Sequence, residues 1–457
     1  MSIFKSCDIR GVYGSELDEP AMADIGRGIV SIMRRSIDAP RIVVGGDVRR
    51  STAALKAALI NGMVESGAHV TDVGILPTPV FYFAFKNVPG DGCAFVTASH
   101  NPPRFNGLKL CFSHSPVSVE EIEELRRTVE SGEFVSGSGT AEQHDVTAEY
   151  ERWLAEQFPG PLPLRMAVDA GGGCWSDIAP RALRRAGSDV VPLFCEVDPD
   201  LTVRDPNPLP KNLSEVCRTV VGNGCRFGAA FDADGDRVVF VDEKGSPINS
   251  DLAGAILARW MLQSDPGEKV VYEVNCSQAL ADSITAAGGT ALMEKAGHAF
   301  MKRRMIDENA LFGVEISGHF FYRQLDGGDD GLFSAMMMGQ LLQDTGRALS
   351  ELAADVPHYY STAVVRLPRS NTEARQIVDA IAANARDEGE VSRLDGVRVQ
   401  YDNGWALARV SVTEPVISMR FEAHRKEFLQ EILDKFLGFD PGLEQDVAQV
   451  LKTHKEL

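Results

Sequence analysis

The sequence has no excess of positive charge, no apolar run long enough to cross a bilayer and no signal-peptide pattern at its start. Its 46 Lys and Arg face 65 Asp and Glu, for a formal net charge of −19. That balance argues against a nucleic acid or an anionic membrane as partner. An anionic small substrate stays compatible, since a local cluster of Arg and Lys can override the global field. We therefore expect a cytoplasmic protein.

Paired cysteine spacing is also absent. The eight cysteines contain no CxxC pair, and several lie inside apolar runs. Such a distribution indicates buried or incidental thiols in a reducing compartment rather than a disulfide frame or a zinc site. The residues are Cys7, Cys93, Cys111, Cys174, Cys195, Cys217, Cys225 and Cys276.

A chain of 457 residues is too long for one compact core, so two to four domains are expected. Three apolar runs share one local pattern, each followed by a helix-like stretch and a further apolar run. They are Ile42–Asp47, Met166–Gly171 and the looser Lys269–Val274. Strand, helix and strand at this spacing predict parallel sheets with crossover helices, and hence three similar α/β domains.

The last segment has a different pattern. Ser361–Leu367 and Val416–Phe421 are predicted strands, and Thr372–Asp387 and His424–Leu437 predicted helices. Between them Asp402-Asn403-Gly404 is a hairpin signal, which favours an α+β unit with an antiparallel sheet. The predicted domains are residues 1–145, 146–245, 246–357 and 358–457.

A serine motif follows the apolar run Cys93–Val96, which is typical of a buried strand. The motif is Thr97–Pro102, with Ser99 beside His100. Ligands bind at strand ends of parallel α/β sheets, so this hydroxyl is a candidate nucleophile or carrier of a transferred group. The alternative is an ordinary polar turn before a proline.

Three aspartates alternate directly after the apolar run Phe227–Phe231. Asp232, Asp234 and Asp236 lie on a glycine-bearing loop and can converge on one hard cation, whereas without a counter-ion they would repel one another. An EF-hand does not fit, because Arg237 stands where that loop needs glycine. The loop therefore predicts a metal site, and a phosphate is the habitual partner of Mg²⁺ in such a site.

Two further loops suit a phosphorylated polyol. Glu315 and Ser317 alternate and could share hydroxyl hydrogen bonds from one side of an extended loop. The segment Arg409–Pro415, with Arg420 on the next strand, offers guanidinium and hydroxyl donors for a phosphate. A strand with polar edge residues is the alternative for the second loop. Further basic candidates beside glycines, each of which could also be a surface charge, are Arg10, Lys109, Lys295 and His298.

In this order the motifs resemble those of the α-D-phosphohexomutase family, most closely its phosphomannomutase/phosphoglucomutase branch. The resemblance covers nearly the whole chain. It implies three related α/β domains with mixed sheets around a cleft, plus a C-terminal α+β domain that rotates to open it. Each domain would supply one loop: the phosphoserine, metal-binding, sugar-binding and phosphate-binding loop in turn.

The resemblance also implies roles for individual residues. Ser99 would carry the phosphate, and Mg²⁺ would be held by Asp232, Asp234, Asp236 and an oxygen at Ser99. The reacting end would comprise Ser99, Arg10, His100, Lys109, Arg237 and His298. Substrate binding would fall to Lys295, Glu315, Ser317, His319, Arg409, Ser411, Thr413 and Arg420.

The activity implied is interconversion of hexose 1-phosphate and hexose 6-phosphate, with mannose and glucose as sugars and hexose 1,6-bisphosphate as intermediate and activator. The alternatives are a phosphoglucosamine mutase, a sugar-phosphate phosphatase, and a binding module without turnover. Ile316 favours mannose and glucose over glucosamine as the sugar, since phosphoglucosamine mutases usually carry glutamine at that position. The partner is a small sugar phosphate, and monomer and dimer are both compatible. Departures from the family pattern are Cys7, Asn275 and Val412.

Overall fold

The computed structural model describes residues 3–5, 7–385, 389–410 and 416–453. These residues form four β-sheets surrounded by helices, three of the sheets mixed and the last antiparallel. The predicted fold class, three related α/β units followed by an α+β unit, is confirmed. No helix within the described ranges combines the length and apolarity that a membrane crossing needs.

The first sheet has six strands in the order β1-β5-β4-β2-β3-β6. Strands β2, β3, β4 and β6 run parallel, while β5 and β1 continue the sheet in antiparallel pairing. The elements are β1 Ile9–Val12, α1 Glu19–Met33, β2 Arg41–Gly46, α2 Thr52–Glu65, β3 His69–Ile75, α3 Thr78–Asn87, β4 Gly92–Val96, β5 Phe105–Cys111, α4 Val119–Ser131 and β6 Thr140–Gln143.

The second sheet has the order β11-β10-β9-β7-β8. Strand β7 pairs in parallel with β8 and β9, and β10 and β11 follow antiparallel. The elements are α5 Thr147–Gln157, β7 Arg165–Asp169, α6 Ile178–Arg185, β8 Asp189–Leu193, α7 Ser214–Asn223, β9 Phe227–Phe231, β10 Val238–Asp242 and β11 Pro247–Ile248.

The third sheet repeats the order of the second, with β12 between β13 and β14, followed by β15 and β16. The elements are α8 Ser250–Ser264, β12 Lys269–Glu273, α9 Gln278–Ala286, β13 Thr290–Glu294, α10 His298–Asp307, β14 Phe312–Val314, β15 Phe320–Tyr322, β16 Gly328–Asp329, α11 Gly331–Thr345 and α12 Leu349–Ala354.

The three sheets share a core of three parallel strands and one antiparallel neighbour. The predicted parallel crossovers join the first three core strands, and the mixed pairing that the resemblance implied arises at the antiparallel fourth strand, for a reason that lies in loop length. Residues 97–104, 232–237 and 315–319 connect the third and fourth core strands. A parallel crossover needs a dozen or more residues, so connections this short can only make hairpins. All three candidate loops therefore occupy the same place in their sheets.

The C-terminal sheet is antiparallel, with the order β17-β22-β21-β20-β19 and β18 also paired to β22. The predicted hairpin is confirmed in β20 and β21. The strand predicted over Ser361–Leu367 is instead two short strands that both pair with β22. The elements are β17 Tyr360–Ser361, β18 Val365–Pro368, α13 Asn371–Asn384, β19 Glu390–Ser392, β20 Val397–Tyr401, β21 Gly404–Val410, β22 Val416–Ala423, α14 Lys426–Leu437 and α15 Pro441–Thr453.

Three large apolar cores organise these layers, and one of them lies wholly within the first unit, where it includes Ile9, Val44 and Leu108. One continuous cluster runs from Val43 in the first sheet through the second to Val356 after the third. The C-terminal sheet and its helices have a core of their own. The two are joined by a small cluster in which Trp405 and Leu407 pack on Val274. The first three units are thus fused by a common interior, whereas the fourth docks on them.

Candidate active site

The serine loop begins where β4 ends and holds Ser99 in a left-handed conformation, with φ +48°. This conformation is uncommon for a residue other than glycine and marks strain of the kind found at functional sites. The backbone N–H of Ser99 donates to Oγ1 of Thr97 at 2.8 Å. Its hydroxyl lies 3.1 Å from Oδ2 of Asp232 and 3.2 Å from Nδ1 of His100. The strained loop thus presents the hydroxyl to the aspartates.

Arg49 holds this loop in place, and the sequence analysis missed it. Its guanidinium donates to the carbonyl oxygens of Ser99 at 2.5 Å, Asn101 at 2.6 Å and Pro102 at 3.0 Å. Its Nε donates to Asp47 at 3.0 Å, and both side chains are buried. Since a buried arginine uses most of its donors on one loop, the position of Ser99 is fixed from behind.

The aspartate loop packs its three carboxylates together. Ligand atoms of Asp232, Asp234 and Asp236 lie within 4.8 Å of one another, and all three residues are buried. Gly235 has φ +83°, and a Cβ there would lie 2.3 Å from Nε1 of Trp175. That indole N–H donates to the Gly235 carbonyl at 2.7 Å. Only glycine fits this turn, which is what folds the alternating aspartates toward one point.

Lys109, on β5, is the nearest cation. Its Nζ lies 2.9 Å from Asp234 and 2.5 Å from Asp236. Burial alone would raise the pKa of Asp234, but Lys109 and hydrogen bonds that include one from Thr78 lower it. Asp232 lies farther from a cation, 4.0 Å from Nε of Arg237, and burial together with the other two carboxylates raises its pKa well above the usual range. One ammonium therefore does not balance three buried carboxylates.

The cluster fits a divalent cation. Oδ1 of Asp234 and Oδ1 of Asp236 are buried and have no hydrogen-bond partner. Unpaired buried carboxylate oxygens are costly, and a hard cation that takes oxygen ligands satisfies them. With the hydroxyl of Ser99 3.1 Å from Asp232, a fourth oxygen from a group on that serine would complete one side of the site. The convergence of the three aspartates was predicted from their alternation, and the oxygen at Ser99 as a further ligand was implied by the resemblance.

Two of the three predicted histidines, His298 and His319, share one carboxylate. Asp329 lies at the end of β16. Its Oδ1 is 2.9 Å from Nε2 of His298, and its Oδ2 is hydrogen-bonded to Nδ1 of His319. Burial lowers the pKa of His319, but Asp236 and Asp329 outweigh it and raise the pKa to about 9. Asp329 was not predicted, because the sequence around it reads as a glycine-rich turn.

Arg10, His100 and Arg237 border the serine. Arg10 donates to Oδ1 of Asn101 at 2.9 Å, and Nε of Arg237 lies 2.9 Å from Nε2 of His319. Burial and the guanidinium groups of Arg237 and Arg10 lower the pKa of His100 well below its ordinary value. His100 is therefore neutral at physiological pH. The predicted reacting end is thus brought together, and His298 joins it through Asp329.

The sugar loop adjoins this cluster through its carboxylate. Oε1 of Glu315 accepts the N–H of Gly297 at 2.8 Å, and Oε2 lies 3.4 Å from Oγ of Ser317 and 4.0 Å from Nε2 of His319. Lys295, predicted beside it, has its ammonium over the ring of Phe300 at 5.4 Å. Glu315 and Ser317 do meet, as the alternation predicted.

A second buried carboxylate lies below the sugar loop and was missed. Glu273, at the end of β12, accepts the N–H of Ile316 at 3.2 Å and bonds the side-chain amide of Asn275. Burial, reinforced by Glu315, raises the pKa of Glu273 to about 7. In the sequence, Glu273 was distinguished only as one acidic residue within an apolar run.

The C-terminal unit brings Arg409 to the third sheet. Arg409 pairs with Asp395 at 3.0 Å, and that carboxylate accepts the N–H of Ala296 at 3.2 Å. Ser411, Val412 and Thr413 lie outside the described residues.

Arg420 does not lie with Arg409 in the described contacts. It bonds the carbonyl of Asn275 and lies 3.3 Å from Oγ of Ser361 and 3.8 Å from Asp251. Its predicted part in phosphate binding stays a prediction, and these contacts favour a role between the two units instead.

A strained serine, three convergent carboxylates and a ring of cationic side chains are the parts of a phosphoryl-transfer enzyme. Four family models cover nearly all of the chain. They are phosphoglucomutase/phosphomannomutase α/β/α domain I at residues 1–136, domain II at 150–245, domain III at 249–360 and the C-terminal domain at 365–438.

Individual relatives agree. The chain is 35% identical over 438 residues to the phosphomannomutase/phosphoglucomutase of Pseudomonas aeruginosa, covering 95% of this chain and 94% of that one. It is 34% identical to a phosphoglucomutase of Neisseria meningitidis, covering 95% of each. A crystal structure of a family protein from Burkholderia thailandensis superposes with a TM-score of 0.89 at 34% identity, covering 96% of this chain and 98% of that one.

The chain belongs to the phosphoglucomutase/phosphomannomutase family. It is accordingly an enzyme of the mutase type, an isomerase that acts by intramolecular phosphoryl transfer.

Proposed function

We propose that this enzyme interconverts the 1- and 6-phosphates of mannose and glucose through a phosphorylated Ser99. The observation that carries the proposal is the position of the Ser99 hydroxyl, 3.1 Å from Asp232 at the edge of three buried carboxylates. A hydroxyl in that position can carry a phosphoryl group whose charge a bound cation balances.

The cation proposed is Mg²⁺, held by Asp232, Asp234, Asp236 and an oxygen of the group on Ser99. When bound, it would neutralise charge on the transferring phosphoryl group. Carboxylate oxygens without other partners on Asp234 and Asp236 support this ligand set.

The first transfer moves the phosphoryl group from Ser99 to the free hydroxyl of a hexose monophosphate. Lys109, Arg10 and Arg237 surround the serine loop, and their positive charge stabilises the transferring group. Because Arg49 holds the carbonyl oxygens of Ser99 and of Asn101 after it, the attacked phosphorus would keep one position through both transfers.

The sugar would be held at the opposite side of the same space. Glu315 and Ser317 would accept and share its hydroxyl hydrogen bonds, and Arg409 would pair with the phosphate that does not react. The bisphosphate then turns over in the cleft and returns its other phosphate to Ser99. A C-terminal unit with its own core is suited to open and close during this step.

The test is an assay of purified protein with Mg²⁺ and a catalytic amount of glucose 1,6-bisphosphate. Mannose 1-phosphate, glucose 1-phosphate and glucosamine 1-phosphate are compared as substrates, with free phosphate measured in parallel. Comparable isomerisation of the mannose and glucose substrates supports the proposal. Turnover of the glucosamine substrate alone overturns its specificity, and phosphate release faster than isomerisation overturns the mutase reaction itself.

A further inference from the structure

Two cysteines face each other across the strand pair that carries the serine loop and Lys109. Cys93 on β4 lies directly opposite Cys111 on β5 in antiparallel register. Opposed residues of such a pair have Cα atoms about 4.5 or 5.5 Å apart, depending on the hydrogen-bonding position. Both values fall within the roughly 4.4–6.8 Å that a disulfide spans.

The two thiols also lie on the same face of the sheet. Cys93 is a buried member of the large core, and Cys111 is half-buried and packs against that core. Their strand neighbours Ala94 and Leu110 belong to the other core of the first unit. The side chains of Cys93 and Cys111 therefore lie side by side on the same face of the sheet.

The surroundings distinguish the two sulfurs. A hydrogen bond from Cys93 and the ammonium of Lys302 lower the pKa of Cys111, against the effects of burial and of Glu121. Burial and the contact with Cys111 raise the pKa of Cys93 well above the ordinary thiol value. Cys111 is thus the better nucleophile, because the thiolate is the reactive form.

From this geometry we infer that Cys93 and Cys111 form an oxidisable dithiol that closes to a disulfide when the protein meets hydrogen peroxide. The other six cysteines lie outside the described strand pairings with one another, and all eight are free in this structure. The bond would enclose residues 93–111, a loop that contains both Ser99 and Lys109.

The reaction balances in two steps. The Cys111 thiolate attacks one oxygen of the peroxide, so that an S–O bond forms, the O–O bond breaks and hydroxide leaves. The sulfenic acid of Cys111 is then attacked by the sulfur of Cys93, which forms the S–S bond and releases the second oxygen as water with the thiol proton. Two thiols and one peroxide give one disulfide and two waters.

The experiment treats the folded, full-length protein with one equivalent of peroxide, blocks the remaining thiols with iodoacetamide and maps the digest by mass spectrometry. We expect a peptide linked through Cys93 and Cys111, and a fall from eight to six titratable thiols that dithiothreitol reverses. Cys111 should react about tenfold faster than Cys217, whose pKa burial raises.

Matched variants separate the two thiols. In Cys93→Ser, Cys111 should be trapped as a dimedone adduct without a disulfide, and Cys93→Ala repeats this if the serine disturbs the core. Cys217→Ser should leave the linked peptide unchanged. The inference is overturned if both thiols stay reduced while others oxidise, or if Cys111 is found linked to another cysteine or to a second chain.

Discussion

The reacting end and the sugar-holding end of this site are built in different ways. Around Ser99, buried groups fix one another, since Arg49 holds the loop carbonyls and Lys109 bridges two aspartates at 2.5–2.9 Å. Around Glu315, one carboxylate oxygen accepts the backbone N–H of Gly297 at 2.8 Å, but the contacts to the side chains of Ser317 and His319 are 3.4 and 4.0 Å. The difference indicates that the groups around Ser99 are preorganised for phosphoryl transfer, whereas the side chains around Glu315, proposed to bind the sugar, can adjust.

The same contrast is seen in the cores. The serine, aspartate and sugar loops are equivalent hairpins of three units that share one continuous interior. Arg409 belongs to a unit with a separate core that docks through Trp405 and Leu407. The proposed turnover of a bisphosphate would need one fixed centre and one movable clamp, and a fourth unit with its own core is compatible with that division.

The largest effect is expected from Asp236→Asn, which removes one carboxylate charge at the fixed end. We expect kcat to fall about 10³-fold, the rate equivalent of roughly 4 kcal/mol, because charge stabilisation of the transferring group is weakened. Steady-state kinetics and Mg²⁺ titration by calorimetry measure it. Asp200→Asn, at an exposed surface ion pair, is the control, and wild-type kcat in Asp236→Asn would refute a cation site here.

The next largest effect tests whether the position of Ser99 depends on the hydrogen bonds that Arg49 donates to its loop. Arg49→Lys keeps a charge but cannot donate to the carbonyls of Ser99, Asn101 and Pro102 together, so Ser99 should shift and kcat should fall about 10²-fold with little change in KM. The neighbouring Arg50→Lys, which alters an exposed pair with Asp200, should leave kcat unchanged. Equal kinetics for the two variants would show that the serine loop keeps its conformation without the Arg49 guanidinium.

At the adjustable end the effect should appear in KM. Glu315→Gln retains a hydrogen-bonding group but loses the charge that accepts sugar hydroxyls. We expect KM for glucose 1-phosphate to rise about tenfold, as for loss of one charged hydrogen bond, with kcat within about threefold. A loss confined to kcat would instead place Glu315 at the reacting phosphoryl group.

The smallest effect is expected from Arg420→Lys between the two units. The contacts to Asn275 and Ser361 would weaken, so the unfolding temperature should fall by a few degrees while KM stays within about twofold. Calorimetry and kinetics on the same preparation decide it, with Arg409→Lys as the matched change. A KM increase as large as that of Arg409→Lys would restore the role in phosphate binding predicted from the sequence.

The sequence predicted the parts of the site that are local in the chain. The serine motif, the three aspartates and the Glu315–Ser317 pair each carry their chemistry within a few residues. Arg49, Asp329 and Glu273 were missed because their partners lie far away, as with Arg49 and Ser99, fifty residues apart. A lone charged residue gives no signal until the fold supplies its partner.

The fold was predictable to a similar depth. Strand and helix runs such as Thr52–Glu65 matched the apolar pattern, since each buries one side of a continuous element. The mixed sheets were predicted only from the resemblance, because periodicity does not encode strand direction and so did not give the antiparallel fourth strand of each unit. It was nonetheless implied by the short connections at residues 232–237 and 315–319, which are too short for a crossover.

The central claim is that Ser99 carries the phosphoryl group, and labelling tests it most directly. The protein is incubated with Mg²⁺ and glucose 1,6-bisphosphate bearing ³²P, quenched, digested and mapped, with Ser99→Ala in parallel. The account predicts one labelled peptide, phosphorylated at Ser99, whose label leaves for added glucose 1-phosphate. Label on another residue, or full turnover by Ser99→Ala without any labelled peptide, would contradict it.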